Sequence, residues 1–362
     1  MNMIWKRYGR WVMLVSLALL IKIFSFFPDA VEKYYATGLY PIMARLLRIL
    51  FGWIPISLGD LLYIFIFIWL LVKTIAFIRK LFTKRISIPY LVYVLSRLGW
   101  FCLMIYVLFN LLWGLNYDRR GIAYQLQLDV QPYSTEELDT ALQLIVEKLN
   151  ALDSPSMASR DSLQYKSFLF RESVQSYKNL FAKDQIFRYR YPSVKPSIVS
   201  YLGNYLGFTG YYNPFSGEAQ VNTTVPIFIQ PFTTCHEMGH QLGYAKENEA
   251  NFAGYLAAKS SGNPTFRYSA YFDLYLYAAT ELYMRDSTLV KPLRDQLRPA
   301  VRNDFKTLRK FFAKYENPFE PYIRRMYGSY LRANSQPQGL RTYNEVIAWF
   351  IAYYKKYGKA AL

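Results

Sequence analysis

The sequence predicts an α-helical membrane anchor with three transmembrane helices over residues 1–116, followed by a mainly helical α+β domain with a small sheet over residues 117–362. Three observations lead there. Hydrophobic residues make up 53% of the 362 positions and charged ones only 19%, and the long apolar runs crowd into the first third, as expected of segments that sit in lipid. Beyond Tyr117 the texture changes to capped helical segments. One stretch, from Tyr191 to Thr224, breaks into short pieces punctuated by Gly and Pro that read as strands and turns.

The first span runs over about 11–27. It follows the basic cluster Lys6, Arg7 and Arg10 and is interrupted only by Lys22, whose long stem can carry the charge to an interface. The residues after it, Pro28, Asp29, Ala30 and Val31, offer no small-residue cleavage site, so an uncleaved anchor is expected in place of a signal peptide. The other spans are expected at about 61–78 and 91–115. Between spans one and two, Ala44–Ile56 reads ARLLRILFGWIPI, with Arg45 and Arg48 on one side of an apolar pattern, as expected of a helix lying in the interface. Lys6, Arg7 and Arg10 before the first span, and Arg79, Lys80, Lys84 and Arg85 between the second and third, place the N-terminus in the cytoplasm. With three spans, everything after Leu115 then lies on the outer, periplasmic or extracellular, face of an inner or plasma membrane. The net charge of +18 is scattered and comes without a basic-aromatic recognition motif, which argues against nucleic acid and fits a lipid bilayer as partner.

In the second part, Ser134 and Glu137 form a capping box that opens a helix through about Leu152, and a second helical pattern covers Asp161–Ala182. Helices resume at Pro231 and continue to the end, with breaks near Gly243, Gly262, Ser287, Pro318 and Pro337. Tyr271, Leu274, Tyr275 and Tyr277 read as a packed aromatic helix face.

The chemistry concentrates in Thr234–Tyr255, TCHEMGHQLGYAKENEANFAGY. His236 and His240 are the only histidines; four apart on a helix, they project from one face and can grip one ion. Glu237 sits on the adjoining edge, within reach of a water on that ion without being a ligand. This is the zincin arrangement, and zinc is the expected metal. Of the two cysteines, Cys102 lies in an apolar run and Cys235 reads as a packed residue beside the motif, so the third ligand must be a carboxylate. Gly243 can end the helix in a left-handed conformation and turn the chain back, and the next carboxylates are Glu247 and Glu249.

His-Glu-x-x-His followed by Glu-x-x-Ala-Asn resembles the gluzincin pattern of the membrane-embedded CAAX-processing and the repressor-cleaving peptidases. That resemblance implies Glu247 as the third zinc ligand and Asn251 as the residue supporting the first histidine, although Asn adds no negative charge where those families carry Asp. Over the three spans, GYYNPFSGEAQVN, PFTTCHEMGHQLG and ENEANF, the chain also resembles an uncharacterised family of bacterial membrane proteins, the domain of unknown function 3810 family. The resemblance implies a zincin-like fold. The expected function is a membrane-anchored zinc metallopeptidase with Glu237 as general base and a Tyr or Arg as oxyanion donor. Its polypeptide substrate would pair with an edge strand at Gly217–Asn222. The alternative is a catalytically inactive zincin-like binding or assembly module of the cell envelope.

Overall fold

The computed structural model describes residues 2–83, 87–339 and 345–362, with side chains from Gly9 onward. Of the charges that set the expected orientation, Lys84 and Arg85 and the side chains of Lys6 and Arg7 lie outside the described residues. Helix α1, Asn2–Ser25, takes up the first expected span. Pro28 has no N–H to donate and forces Phe27 out of helical geometry (φ −117°, ψ 78°), so the chain bends by 100° before continuing to Phe51. That continuation is a π-helical segment, Val31–Leu39, running into α2, Tyr40–Phe51. Helices α3, Leu58–Phe82, and α4, Ile88–Leu112, each have 25 residues. At 1.5 Å per residue each is about 37 Å long, enough to cross a hydrocarbon core of about 30 Å. Among the described residues, two helices are thus long and apolar enough to cross a membrane, and three if α1 with its bent continuation forms one span.

The expected interfacial helix over Ala44–Ile56 requires correction. It starts earlier, ends at Phe51, and its two arginines do not share a face: Arg45 is exposed, but Arg48 is buried and its Nη1 donates to the Gln241 carbonyl at 2.9 Å. Three residues apart on a helix are about 60° of rotation apart, and here that separates an exposed charge from one that binds protein.

The capping box at Ser134 and Glu137 is present and opens α5, Thr135–Ser159, which runs seven residues past Leu152 with Pro155 inside it. Helix α6, Lys166–Lys183, follows. The Gly- and Pro-rich stretch yields β1, Val194–Pro196, a short α7, Ser200–Leu206, and strands β2, Gly210–Asn213, and β3, Glu218–Val221. The sheet order is β1-β3-β2, with β1 parallel and β2 antiparallel to β3. The segment expected to be an edge, Gly217–Asn222, is therefore the centre, and every residue of β3 is buried. Sequence missed this because its second neighbour is only three residues long and ends in Pro196, which cannot donate to a ladder.

Helices α8, Gln230–Gln241, and α9, Glu247–Lys259, form the centre of the domain; every residue of α8 and Glu247–Ala258 of α9 are buried. Around them pack α6, α10, Pro264–Arg285, and α14, Val346–Tyr357, with α5 packed on α10; between α10 and α14 come α11, Ser287–Asp295, α12, Pro299–Lys314, and α13, Glu320–Ala333. Tyr271, Leu274 and Tyr275 of α10 are core residues, as their spacing predicts.

The membrane-type helices are tied to this domain by polar groups. Glu218 of β3 accepts from the Leu58 and Gly59 amides at 3.3 and 2.6 Å, which places a carboxylate on the positive N-terminal end of α3, and it pairs with buried Lys195. Asp60 in the first turn of α3 accepts from the Ile198 amide at 2.7 Å and from Tyr211.

Candidate metal centre

Helix α8 carries both histidines, and its ending sets the site. Gly243 adopts φ +87°, the Gly243 amide donates to the His240 carbonyl at 3.0 Å and the Tyr244 amide to the Gly239 carbonyl at 3.3 Å, a Schellman closure that turns the chain back within three residues. The last carbonyls of a helix have no partners of their own. Here the region before residue 116 supplies them: Tyr40 Oη donates to the His240 and Gln241 carbonyls at 3.3 and 3.0 Å, Trp113 Nε1 to His240 at 3.1 Å, and Arg48 to Gln241. After the turn, α9 begins at Glu247, so its carboxylate comes back over the two imidazoles.

His236 Nε2 lies 3.3 Å and His240 Nε2 3.7 Å from Glu247 Oε2, and one ligand atom from each of the three lies within 4.8 Å of the others. Ligands about 2.1 Å from a tetrahedral ion stand about 3.3–3.5 Å apart, close to the two separations from Glu247, and two imidazoles with a carboxylate are donors that such an ion takes. The ring of His240 is already oriented: its Nδ1 bonds to the Tyr244 carbonyl at 2.7 Å, which makes Nδ1 the donor and leaves the Nε2 lone pair for the cluster. Tyr327 on α13 donates to Glu247 Oε1 at 2.7 Å and orients the carboxylate from the other side. Glu249, the other carboxylate left open by the sequence, points away and lies against Gly121.

Electrostatics agree with a site built for a cation. Burial pushes the Glu247 carboxyl up, but its hydrogen bonds to the two imidazoles and their charge outweigh burial and hold it well below the usual carboxylate range. Burial would lower His236, yet the Glu247 hydrogen bond and the charges of Glu237, Glu247 and Asp273 raise it to about 9. Glu237 is pushed up to about 7 by burial, against the pull of both histidines, and its Oε2 has no hydrogen-bond partner among the described residues.

Asp273 is the residue that sequence reasoning missed. The notable signal was a carboxylate inside the aromatic face of α10, and it is buried enough that its own pKa rises to about 7, with His236 and a Tyr277 hydrogen bond pulling against burial. No described hydrogen bond joins Asn251 to His236; instead Tyr277 stands between Asn251 and Asp273, within hydrogen-bonding reach of both. When ionised, Asp273 acts on His236 through its charge, which the neutral Asn251 does not offer. Asp273→Asn is expected to weaken zinc binding roughly 10–100-fold, as the loss of a charge supporting a ligand does. A chelator-competition titration measures this, and an unchanged affinity would remove Asp273 from the site.

The cluster opens into a cleft of about 1430 Å³ that is also lined by β2, α10 and α13. Gly210 of β2 lies directly against Glu237, where a Cβ would stand 2.7 Å from Glu237 Oε1. The Asn222 amide donates to the Thr209 carbonyl, so in the antiparallel register Thr209, Tyr211 and Asn213 pair with β3, and the peptide groups of Gly210 and Tyr212 face the free edge. The tyrosines closest to Glu247 include Tyr117, Tyr327 and Tyr330; burial raises Tyr330 to about 12, which keeps its phenol a donor at neutral pH. Burial also raises the Cys235 thiol, as suits a packed residue.

Residues 35–351 match the family described as Protein of unknown function (DUF3810). No curated protein and no solved structure matches the chain.

Proposed function

Because the chain belongs to the DUF3810 family, whose function is unknown, we propose from the site itself that it is a membrane-anchored zinc metallopeptidase of zincin, gluzincin-like type. One observation carries the reading: three buried ligand atoms of His236, His240 and Glu247 converge within 4.8 Å, with the carboxylate of Glu237 beside them. A zinc ion held by these three residues supplies Lewis acidity, which lowers the pKa of water to about 7 and polarises a scissile carbonyl.

The chain's own groups do the rest. Glu237, with a pKa brought near neutrality, takes the proton of the attacking water and returns it to the leaving amine. The Tyr244 carbonyl and the Tyr327 hydroxyl orient His240 and Glu247, and the charge of Asp273 acts on His236. The free edge of β2 offers main-chain groups to an extended polypeptide passing Glu237, the role expected of Gly217–Asn222 and now assigned to its neighbour. The positive-inside distribution supports an outer-face catalytic domain and a cytoplasmic N-terminus.

Metal analysis of the detergent-purified protein, with a mixed peptide library as substrate, tests this. One zinc per chain and hydrolysis that is lost on chelation and restored by zinc are expected. Zinc without hydrolysis of any peptide favours the inactive binding or assembly module, and absence of metal binding ends the peptidase reading. The metal-free site also predicts a pH dependence. His236 is raised to about 9, so below that pH an incoming ion must displace a proton. Affinity therefore rises with pH, by roughly 10²-fold between pH 6 and pH 8 for one displaced proton. Competition titrations across that range measure it, and a flat profile contradicts it.

A further inference from the structure

The cleft does not stop at the level of the metal-ligand cluster. Phe101, Cys102, Ile105, Tyr106, Phe109 and Trp113 all line it, and on a helix that spacing is one face of α4. Trp113 is at the top, in contact with His240, their rings 5.7 Å apart. Phe101 is twelve residues earlier, about 18 Å down the helix at 1.5 Å per residue. Since α4 spans Ile88–Leu112, Phe101 lies near its midpoint. Ile21, Lys22 and Ser25 of α1 and Tyr63 of α3 form the facing walls. A continuous groove thus leads from the candidate zinc ligands to the middle of a helix long and apolar enough to cross a bilayer.

Two further features fit this path. At about 1430 Å³ the cleft exceeds the roughly 300–1,000 Å³ of ordinary small-ligand pockets, so it has room for more than the side chains around one peptide bond. The helices at its outer rim carry exposed apolar side chains, Leu202 and Tyr205 on α7 and Tyr322 and Met326 on α13, each at least half exposed, interspersed on α13 with the exposed Arg324 and Arg325. Such side chains suit a rim resting on lipid, in continuity with the spans, better than one facing water.

We infer that the substrate is a polypeptide whose membrane anchor lies directly beside the scissile bond. The anchor occupies the groove between α1 and α4, and the extended part follows β2 past Glu237. A water-soluble peptide has nothing to fill walls made by Phe101, Ile105 and Phe109, whereas an apolar anchor gains the burial of each. An acyl chain and the end of a transmembrane helix share this chemistry, and the experiment separates them. The inference rests on the peptidase reading for its substrate but not for the occupancy of the groove.

Cys102 is exposed in the groove and Cys235 is buried, so a maleimide-linked photocrosslinker can be placed at Cys102 selectively. The test uses full-length Glu237→Gln protein in phosphatidylcholine–phosphatidylglycerol vesicles and one decapeptide in three forms: free, palmitoylated, and fused to a transmembrane helix. At least tenfold more crosslinking to one or both anchored forms than to the free form is expected, and which of them crosslinks identifies the anchor. The same probe on Leu108→Cys combined with Cys102→Ala, an exposed position of α4 off the cleft wall, controls for simple partition into the membrane. Equal crosslinking from both positions, equal crosslinking to free and anchored peptide, or crosslinking to lipid alone overturns the inference. Anchored peptide that crosslinks but is never hydrolysed by the wild-type zinc form defeats the peptidase reading and leaves the groove occupied. Free peptide hydrolysed as fast as anchored peptide defeats the substrate class and leaves the peptidase reading standing.

Discussion

Glu237→Gln is expected to bind one zinc per chain, as proposed for the wild type, and to lose peptide hydrolysis by roughly 10²–10⁴-fold, the usual range for a general base. Glutamine keeps the shape of the side chain against Gly210 but cannot take the proton. The three ligands are untouched, because His240 is held by the Tyr244 carbonyl and Glu247 by Tyr327, neither of which depends on Glu237. His240→Ala is the necessary companion. It deletes a ligand and should lose both metal and activity. Retained hydrolysis in Glu237→Gln would place the base elsewhere, and loss of zinc in that variant would mean that Glu237 itself is a ligand.

Glu218→Ala should be the most destabilising single change, at about 3–5 kcal/mol, the range for breaking a buried ion pair from one side. Glu218 is fully buried and gathers five donors: the Leu58 and Gly59 amides, Ser216 Oγ, Gln220 Nε2 and Lys195. Alanine leaves a cation in the interior and the first amides of α3 without their acceptor. At about 2–4 °C per kcal/mol for a chain of this order, the thermal midpoint in detergent should fall by roughly 6–20 °C. Glu218→Gln, which keeps an acceptor, should lose less. A fall of under about 2 °C for the alanine variant would show that this junction does not hold span and sheet together.

The two predictions differ in how far they could be foreseen. Glu237 is visible in five consecutive residues, whereas Glu218 looks like an ordinary strand residue until α3 is seen standing on it. The same division runs through the site. His236 and His240 share a face because of the helical repeat, and Gly243 reverses the chain through a local backbone preference, so Glu247 could be placed from spacing and resemblance. Asp273 and Tyr327 could not, because they approach the cluster from helices whose paths depend on packing.

The long apolar helices, the capped helices of the second part, and the face carrying His236, Glu237 and His240 were legible in the residues alone, since each depends on interactions within one or two helical turns. Long-range packing was needed to see that β3 is central and β2 the edge, that Arg48 faces protein, that Tyr40, Trp113 and Arg48 close the end of α8, and that the cleft continues down α4. Those outcomes depend on contacts up to 201 residues apart along the chain. A buried carbonyl or strand edge must find some partner, but nothing in its local sequence says which.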